Sequence, residues 1–163
     1  MKDKTKVLIL FGGVSSEHEV SRVSASSILA HISEDKYEIN TVGITKEGNW
    51  FLTSSPAVRI GDGSWEQDPG NRKVAVCLDR DFRGLLVREA DGSTRELAID
   101  VVFPVLHGRN GEDGRMQGLL QIAGLPFVGS DTVASAASMD KAITKVMVEQ
   151  AGGISQADAA LLH

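Results

Sequence analysis

Lys6-Val7-Leu8-Ile9-Leu10-Phe11-Gly12-Gly13, continued by Val14-Ser15-Ser16-Glu17-His18-Glu19-Val20, is the stretch that decides the fold. The apolar run has no polar alternation and stops at a glycine pair. That pattern predicts a short strand buried on both faces, as in a parallel sheet. Ser16 with Glu19 three residues on has the spacing of a capping box. Val20, Val23, Ser27 and Ile28 then recur at helical spacing, predicting a helix over about 17–31.

Working outward, residues 37–44 form a second strand candidate, and Glu47-Gly48-Asn49 turns the chain into Trp50-Phe51-Leu52. Residues 54–72 carry Pro56, Gly61, Gly63, Pro69 and Gly70 and read as a loop. Residues 74–78, 84–88 and 94–99 read as short strands, with Asp91-Gly92 as a hairpin turn between the last two. Residues 101–106 repeat the buried-strand pattern and end at His107-Gly108. A helix follows over about 115–123, stopped by Gly124, then a short strand over 125–128. A short helix is expected over 131–137. Ser138 is placed to cap a further helix from Met139 to about Gln150.

This order predicts an open, mainly parallel α/β sheet of Rossmann-like type, flanked by helices, with an antiparallel hairpin excursion. Ligands in such sheets sit at the carboxyl ends of the parallel strands. Two such ends stand out, residues 12–19 and residues 107–114.

Composition bounds the function classes. The chain has 163 residues, 42% of them apolar and 24% charged, which are ordinary globular values. Seventeen basic against 22 acidic residues leave a net charge of −5, which argues against nucleic acid or an anionic membrane as partner. No run approaches the ~18 apolar residues of a membrane span. The apolar stretch near the N-terminus is too short for a signal-peptide core, so a cytoplasmic setting is expected. The one cysteine, Cys77, lies in an apolar run and reads as a buried, inert thiol.

The first loop opens a helix, so backbone N–H groups and a positive dipole end face a ligand there. It has neither a G-x-G-x-x-G run nor a Walker lysine. Glu17 and Glu19 at its mouth would repel phosphate and suit an ammonium group; equally, they could serve only to cap the helix and complement its dipole. His107, at a strand end beside the glycine-rich polar loop 108–114, is either a hydrogen-bonded structural residue or a catalytic one. No metal site is expected: Glu17-His18-Glu19 does not share one helix face, and His31 and His163 have no partner at ligand spacing. Lys141 falls in the first turn of a helix, where a cation is unfavourable. It therefore either faces a ligand anion or pairs with a carboxylate such as Asp140 or Glu149.

Three segments carry a resemblance. Residues 11–21 (Phe-Gly-Gly-Val-Ser-Ser-Glu-His-Glu-Val-Ser), residues 107–118 (His-Gly-Arg-Asn-Gly-Glu-Asp-Gly-Arg-Met-Gln-Gly) and Ser138-Met139-Asp140-Lys141 closely resemble the D-alanine–D-alanine ligases, in that family's order and spacing. Residues 44–50 look like the branch that also includes D-alanine–D-lactate ligases. The resemblance runs from about residue 6 to 152. It implies an ATP-dependent ligase of peptidoglycan precursor synthesis that joins two D-alanines through an acylphosphate. Glu17 would hold the ammonium of the first D-alanine, Val20 and Ser21 would line that subsite, His107 would lie by its carboxylate, and Lys141 would contact ATP phosphates. The resemblance further implies residues 1–137 as an N-terminal domain and residues 138–163 as the start of an ATP-grasp central domain. The magnesium ligands and most ATP contacts would lie beyond these residues, so the chain alone is expected to be inactive. A full-length form would be a homodimer. A D-lactate or D-serine ligase, or a stand-alone binding module, are the rival expectations.

Overall fold

The computed structural model describes residues 4–160; His163 of the metal reading lies outside them. Strand β1 (Thr5–Gly12) leads through helix α1 (His18–His31) to β2 (Tyr37–Ile44) and β3 (Trp50–Thr53). A short helix α2 (Ala57–Asp62) and a 3₁₀ turn (Ser64–Gln67) precede β4 (Arg72–Val76), β5 (Gly84–Arg88), β6 (Thr94–Ala98) and β7 (Val101–Pro104). Helices α3 (Arg115–Ile122), α4 (Thr132–Met139) and α5 (Lys141–Ala151) complete the chain.

One seven-stranded sheet has the order β6-β5-β4-β3-β2-β1-β7. β1 is parallel to both β2 and β7. The pairings β2–β3, β3–β4, β4–β5 and β5–β6 are antiparallel. The sheet is therefore mixed, not mainly parallel as the sequence suggests. For β2–β3 and β5–β6 the reason is connection length: parallel neighbours need a crossover of a dozen or more residues, whereas the turns at 45–49 and 89–93 close hairpins. Residues 125–128 do not form the expected strand. Phe127 makes a single parallel bridge to Val102, because Pro126 has no N–H to extend the ladder.

β1 accounts for the core. Its alternate side chains enter two separate apolar clusters. Leu8 and Leu10 pack with Val42, Val102, Met116 and Leu120 on the α3 side. Val7, Ile9 and Phe11 pack with Ala25, Ile60 and Trp65 on the α1 and α2 side. The unbroken apolar run is what two-sided burial demands.

The segment read as a loop, residues 54–72, is instead part of this second cluster. Pro56 sits at the N-cap of α2, and Gly63, with φ +92°, ends it. The glycine and prolines punctuate a helix here. Trp65 is fully buried and meets Phe11 edge to face at 5.0 Å. The expected cap of the last helix changes. Ser138 lies inside α4, and Asp140 caps α5 by accepting from Ala142 N (2.8 Å) and Ile143 N (3.0 Å). A carboxylate that reaches two free N–H groups outcompetes the serine. Ile143, Val146 and Met147 of α5 are about half exposed. Cys77 is buried and unpaired. No helix among the described residues is long and apolar enough to cross a membrane.

Gly43 makes room for the Trp65 indole: a methyl there would fall 2.3 Å from the ring. Gly43→Ala is expected to destabilise the fold by about 1–3 kcal/mol through overpacking. Urea unfolding checks it, and Trp65→Phe in the Gly43→Ala background should recover part of the loss.

Candidate functional site

The neighbourhood of β1 and β7 creates the site. Being parallel and adjacent, they release residues 12–17 and residues 107–114 at the same sheet edge. Ser21 ties the two ends together. It is fully buried, accepts from Gly12 N at 2.8 Å and donates to the Val105 carbonyl. Its hydroxyl is committed to backbone, so Ser21 clamps the two strand ends together. Asn110 adds a second tie, donating Nδ2–H to the Val14 carbonyl at 3.2 Å.

The expected capping box is absent. Glu17 is the N-cap residue of α1 and its side chain makes no cap bond; its N–H donates to Ser15 Oγ at 3.1 Å. Glu19 pairs with Lys46, whose hydrogen bond holds the Glu19 carboxyl below the usual carboxylate range. With Ser15 serving the first turn and Lys46 holding Glu19, the Ser16–Glu19 spacing has no role. His18 is buried, and its Nδ1 lies 2.9 Å from the Gly13 carbonyl, so it braces the glycine turn.

Glu17 is thereby left free, and it converges with two other groups. One carboxylate oxygen each of Glu17 and Glu112 and one ring nitrogen of His107 all lie within 4.8 Å of one another. His107 Nε2 stands 3.1 Å from Ser24 Oγ, and Nδ1 stands 3.8 Å from Glu112 Oε1. Gly108, with φ +66°, occupies a backbone conformation that disfavours side chains, and a Cβ would sit 2.8 Å from Ser15 Oγ and 3.5 Å from the Glu17 carboxyl. The glycine lets the two loops touch.

A cleft of about 670 Å³ opens beside this trio, lined by Ser24, His107, Glu112, Ser135, Met139 and Lys141 among others. The structure therefore brings His107 and Lys141 to one cavity. Glu17 lies at its edge, within reach of His107 and Glu112. Val20 is half exposed one turn further along α1 and does not line the cavity.

Chemically, two carboxylates beside an imidazole suit an ammonium group, and Lys141, exposed at the start of α5, suits an anion. A zwitterion with an attached or neighbouring phosphate fits both ends. Sequence reasoning missed Glu112 and Ser24 as partners of His107. Ser24 stands seven residues after Glu17, on the same helix face, which was a legible signal. Glu112 carried none, because a loop's internal bonds have no periodicity.

The second loop is internally braced. Glu112 Oε2 accepts from Gly108 N at 2.6 Å, Gln117 Nε2 donates to Gly111 O at 2.8 Å, and Asp113 accepts from Asn110 N at 2.9 Å. Burial pushes the Asp113 carboxyl up, but the N–H groups of Asn110 and Arg115 and the Arg115 guanidinium outweigh it and hold it below the usual carboxylate range.

Known proteins resemble the chain along most of its length. The family described as "D-ala D-ala ligase N-terminus" matches residues 6–130. The D-alanine–D-alanine ligase of Acetivibrio thermocellus is 46% identical over 170 residues, covering 97% of this chain and 44% of the relative. That of Caldicellulosiruptor bescii is 48% identical over 142 residues, covering 87% and 38%. Among solved structures, the VanG D-Ala:D-Ser ligase from Enterococcus faecalis superposes with a TM-score of 0.85 at 39% identity, covering 91% of this chain and 42% of that one. The D-alanine–D-alanine ligase from Coxiella burnetii gives 0.79 at 32% identity, covering 91% and 42%. The chain spans less than half the length of these relatives.

Because the Asp113 carboxyl is held low, its contribution to stability is present above the ordinary carboxylate range and lost as pH falls through its folded value. The stability gap between wild type and Asp113→Asn is therefore expected to narrow as pH falls from about 5 to about 2, the range in which such a carboxylate protonates. Thermal unfolding of both proteins across that range checks it.

Proposed function

Because this chain belongs to the D-alanine–D-alanine ligase family, we propose that it is the amino-terminal lobe of an enzyme that forms D-alanyl-D-alanine for peptidoglycan in the cytoplasm. The observation that carries the reading is the convergence of Glu17, Glu112 and His107 at one end of a cleft whose walls include Lys141.

In this reading the γ-phosphoryl group of ATP passes to the carboxylate of one D-alanine, giving an acylphosphate and ADP. The amine of a second D-alanine then attacks the carbonyl carbon, expelling inorganic phosphate and leaving the amide. This chain's residues bind and orient. Glu17 accepts hydrogen bonds from the ammonium of the first D-alanine and fixes that end. His107 lies beside its carboxylate. Val20 borders the subsite from α1. Lys141 meets ATP phosphates, a role that explains a cation at a helix start.

Magnesium would neutralise phosphate charge when bound, but the trio of Glu17, His107 and Glu112 does not fit it. Magnesium demands octahedral oxygen ligands, and an imidazole is a poor member of that set. On this reading no residue of this chain is assigned to the metal; its ligands and most ATP contacts would lie outside these residues. On the same reading residues 1–137 are the amino-terminal domain, residues 138–163 begin an ATP-grasp central domain, and the complete enzyme is a homodimer. D-alanine is preferred over D-lactate or D-serine as acceptor because the curated relatives at 42–48% identity are D-alanine–D-alanine ligases.

A chimera tests this. The chain replaces the matching part of the Acetivibrio thermocellus ligase, and D-alanine-dependent ADP release is measured. The chimera is expected to be active and the 163-residue chain alone inactive. Glu17→Gln in the chimera should lower kcat/KM by about 10²-fold or more, as loss of a charge-assisted bond worth roughly 3 kcal/mol implies. An unchanged rate in Glu17→Gln, or ADP release by the chain alone, overturns the reading.

A further inference from the structure

Glu112 is given no separate ligand contact above, and its side chain is tied to its own loop. Its Oε2 accepts from Gly108 N at 2.6 Å, and its loop is anchored by the bond from Gln117 Nε2 to Gly111 O at 2.8 Å. Both tethers are independent of His107. Its other oxygen, Oε1, faces His107 Nδ1 at 3.8 Å. On the opposite side of the ring, Ser24 Oγ lies 3.1 Å from Nε2.

An ionised carboxylate can only accept, whereas a hydroxyl can donate or accept. The proton of a neutral imidazole goes to the nitrogen whose neighbour accepts it, and the other nitrogen then takes a donor. We propose that Glu112 and Ser24 are a positioning pair that holds His107 in its Nδ1–H form, with the Ser24 hydroxyl donating to Nε2. At 3.8 Å the Nδ1–Glu112 contact is longer than a direct hydrogen bond, and a small ring rotation or one bridging water completes it.

The other charged groups around the ring are Glu17, from the start of α1, Lys141, across the cleft on α5, and Arg109, which lines a pocket with His107 on the loop side. Among the described residues no donor is bonded to the Glu17 carboxylate. Directing the His107 proton to Glu112 keeps it from Glu17, and so leaves the Glu17 carboxylate open to an incoming ammonium. This consequence rests on the proposed ligase reading; the arrangement of the ring does not.

Long-range ¹⁵N–¹H spectra of the ligand-free chain at about pH 8, above the ordinary imidazole range, decide the matter. His18 and His31 serve as internal references, because their Nδ1 atoms face the Gly13 and Ser27 carbonyls at 2.9 and 2.7 Å and must donate. His107 is expected to match them, with a protonated Nδ1 and a lone pair on Nε2. In Glu112→Gln the new amide oxygen can keep the Gly108 bond while its NH₂ faces Nδ1. The ring proton should then move to Nε2, and the two nitrogen signals of His107 exchange positions while those of His18 and His31 stay. Ser24→Ala should keep the wild-type pattern. A wild-type His107 protonated on Nε2 overturns the proposal whether or not any variant folds. So does an unchanged pattern in Glu112→Gln, or an exchange in Ser24→Ala. Since no substrate is added, none of these results depends on whether the chimera makes dipeptide.

Discussion

The Ser21 hydroxyl joins what the site requires and what the sheet leaves over. A parallel strand that ends in a glycine turn leaves backbone N–H and C=O groups without ladder partners, and burial makes those groups costly if unpaired. Ser21 accepts from Gly12 N and donates to the Val105 carbonyl, so one buried atom serves the ends of both β1 and β7. Because Ser21 is on α1, the same bonds fix where that helix begins. Glu17 is then set at its N-terminus and Ser24 two turns along the same face. The positions of both groups follow from this one hydroxyl.

What the sequence made legible follows from how local each signal is. Strands β1 and β2 were readable because two-sided burial produces unbroken apolar runs, and the β5–β6 hairpin because Asp91-Gly92 marks a tight turn. Strand direction was not readable for β3 and β4, since alternation sets which face is buried and says nothing of which neighbour pairs. Trp65 was hidden among prolines and glycines that signal irregular chain when read singly. Only in three dimensions do they bracket a helix and bring the indole onto Gly43. The caps misread at Ser16 and Ser138 share a cause: in each case another side chain, Ser15 or Asp140, lay closer to the free N–H groups.

The site divides in the same way. Each loop could be flagged as a strand-end loop, and charge alone suggested an ammonium near Glu17 and an anion near Lys141. That the two loops would touch depends on β7 pairing with β1 across some 90 residues of sequence, and no periodic pattern encodes that. The individual roles of Glu17, His107 and Lys141 came from the resemblance. The partners of His107 came from the structure alone.

The two ends of the cleft are built by different physics, and that difference says which end this chain can define by itself. Glu17, Glu112 and His107 stand on elements locked by β1, by Ser21 and by the bonds inside residues 107–117. The loops that carry them are braced by bonds within this chain, and preorganisation of that kind favours selective recognition of a small ammonium. Lys141 stands on a helix whose apolar residues Ile143, Val146 and Met147 are half exposed, and which is joined to α4 through Asp140 and the bonds from Thr144 Oγ1 to the Ala137 and Ser138 carbonyls. Such an element takes its final position from whatever covers that apolar face. On the proposed reading the lobe thus carries a preformed amino-acid end and a phosphate end whose placement depends on the next domain.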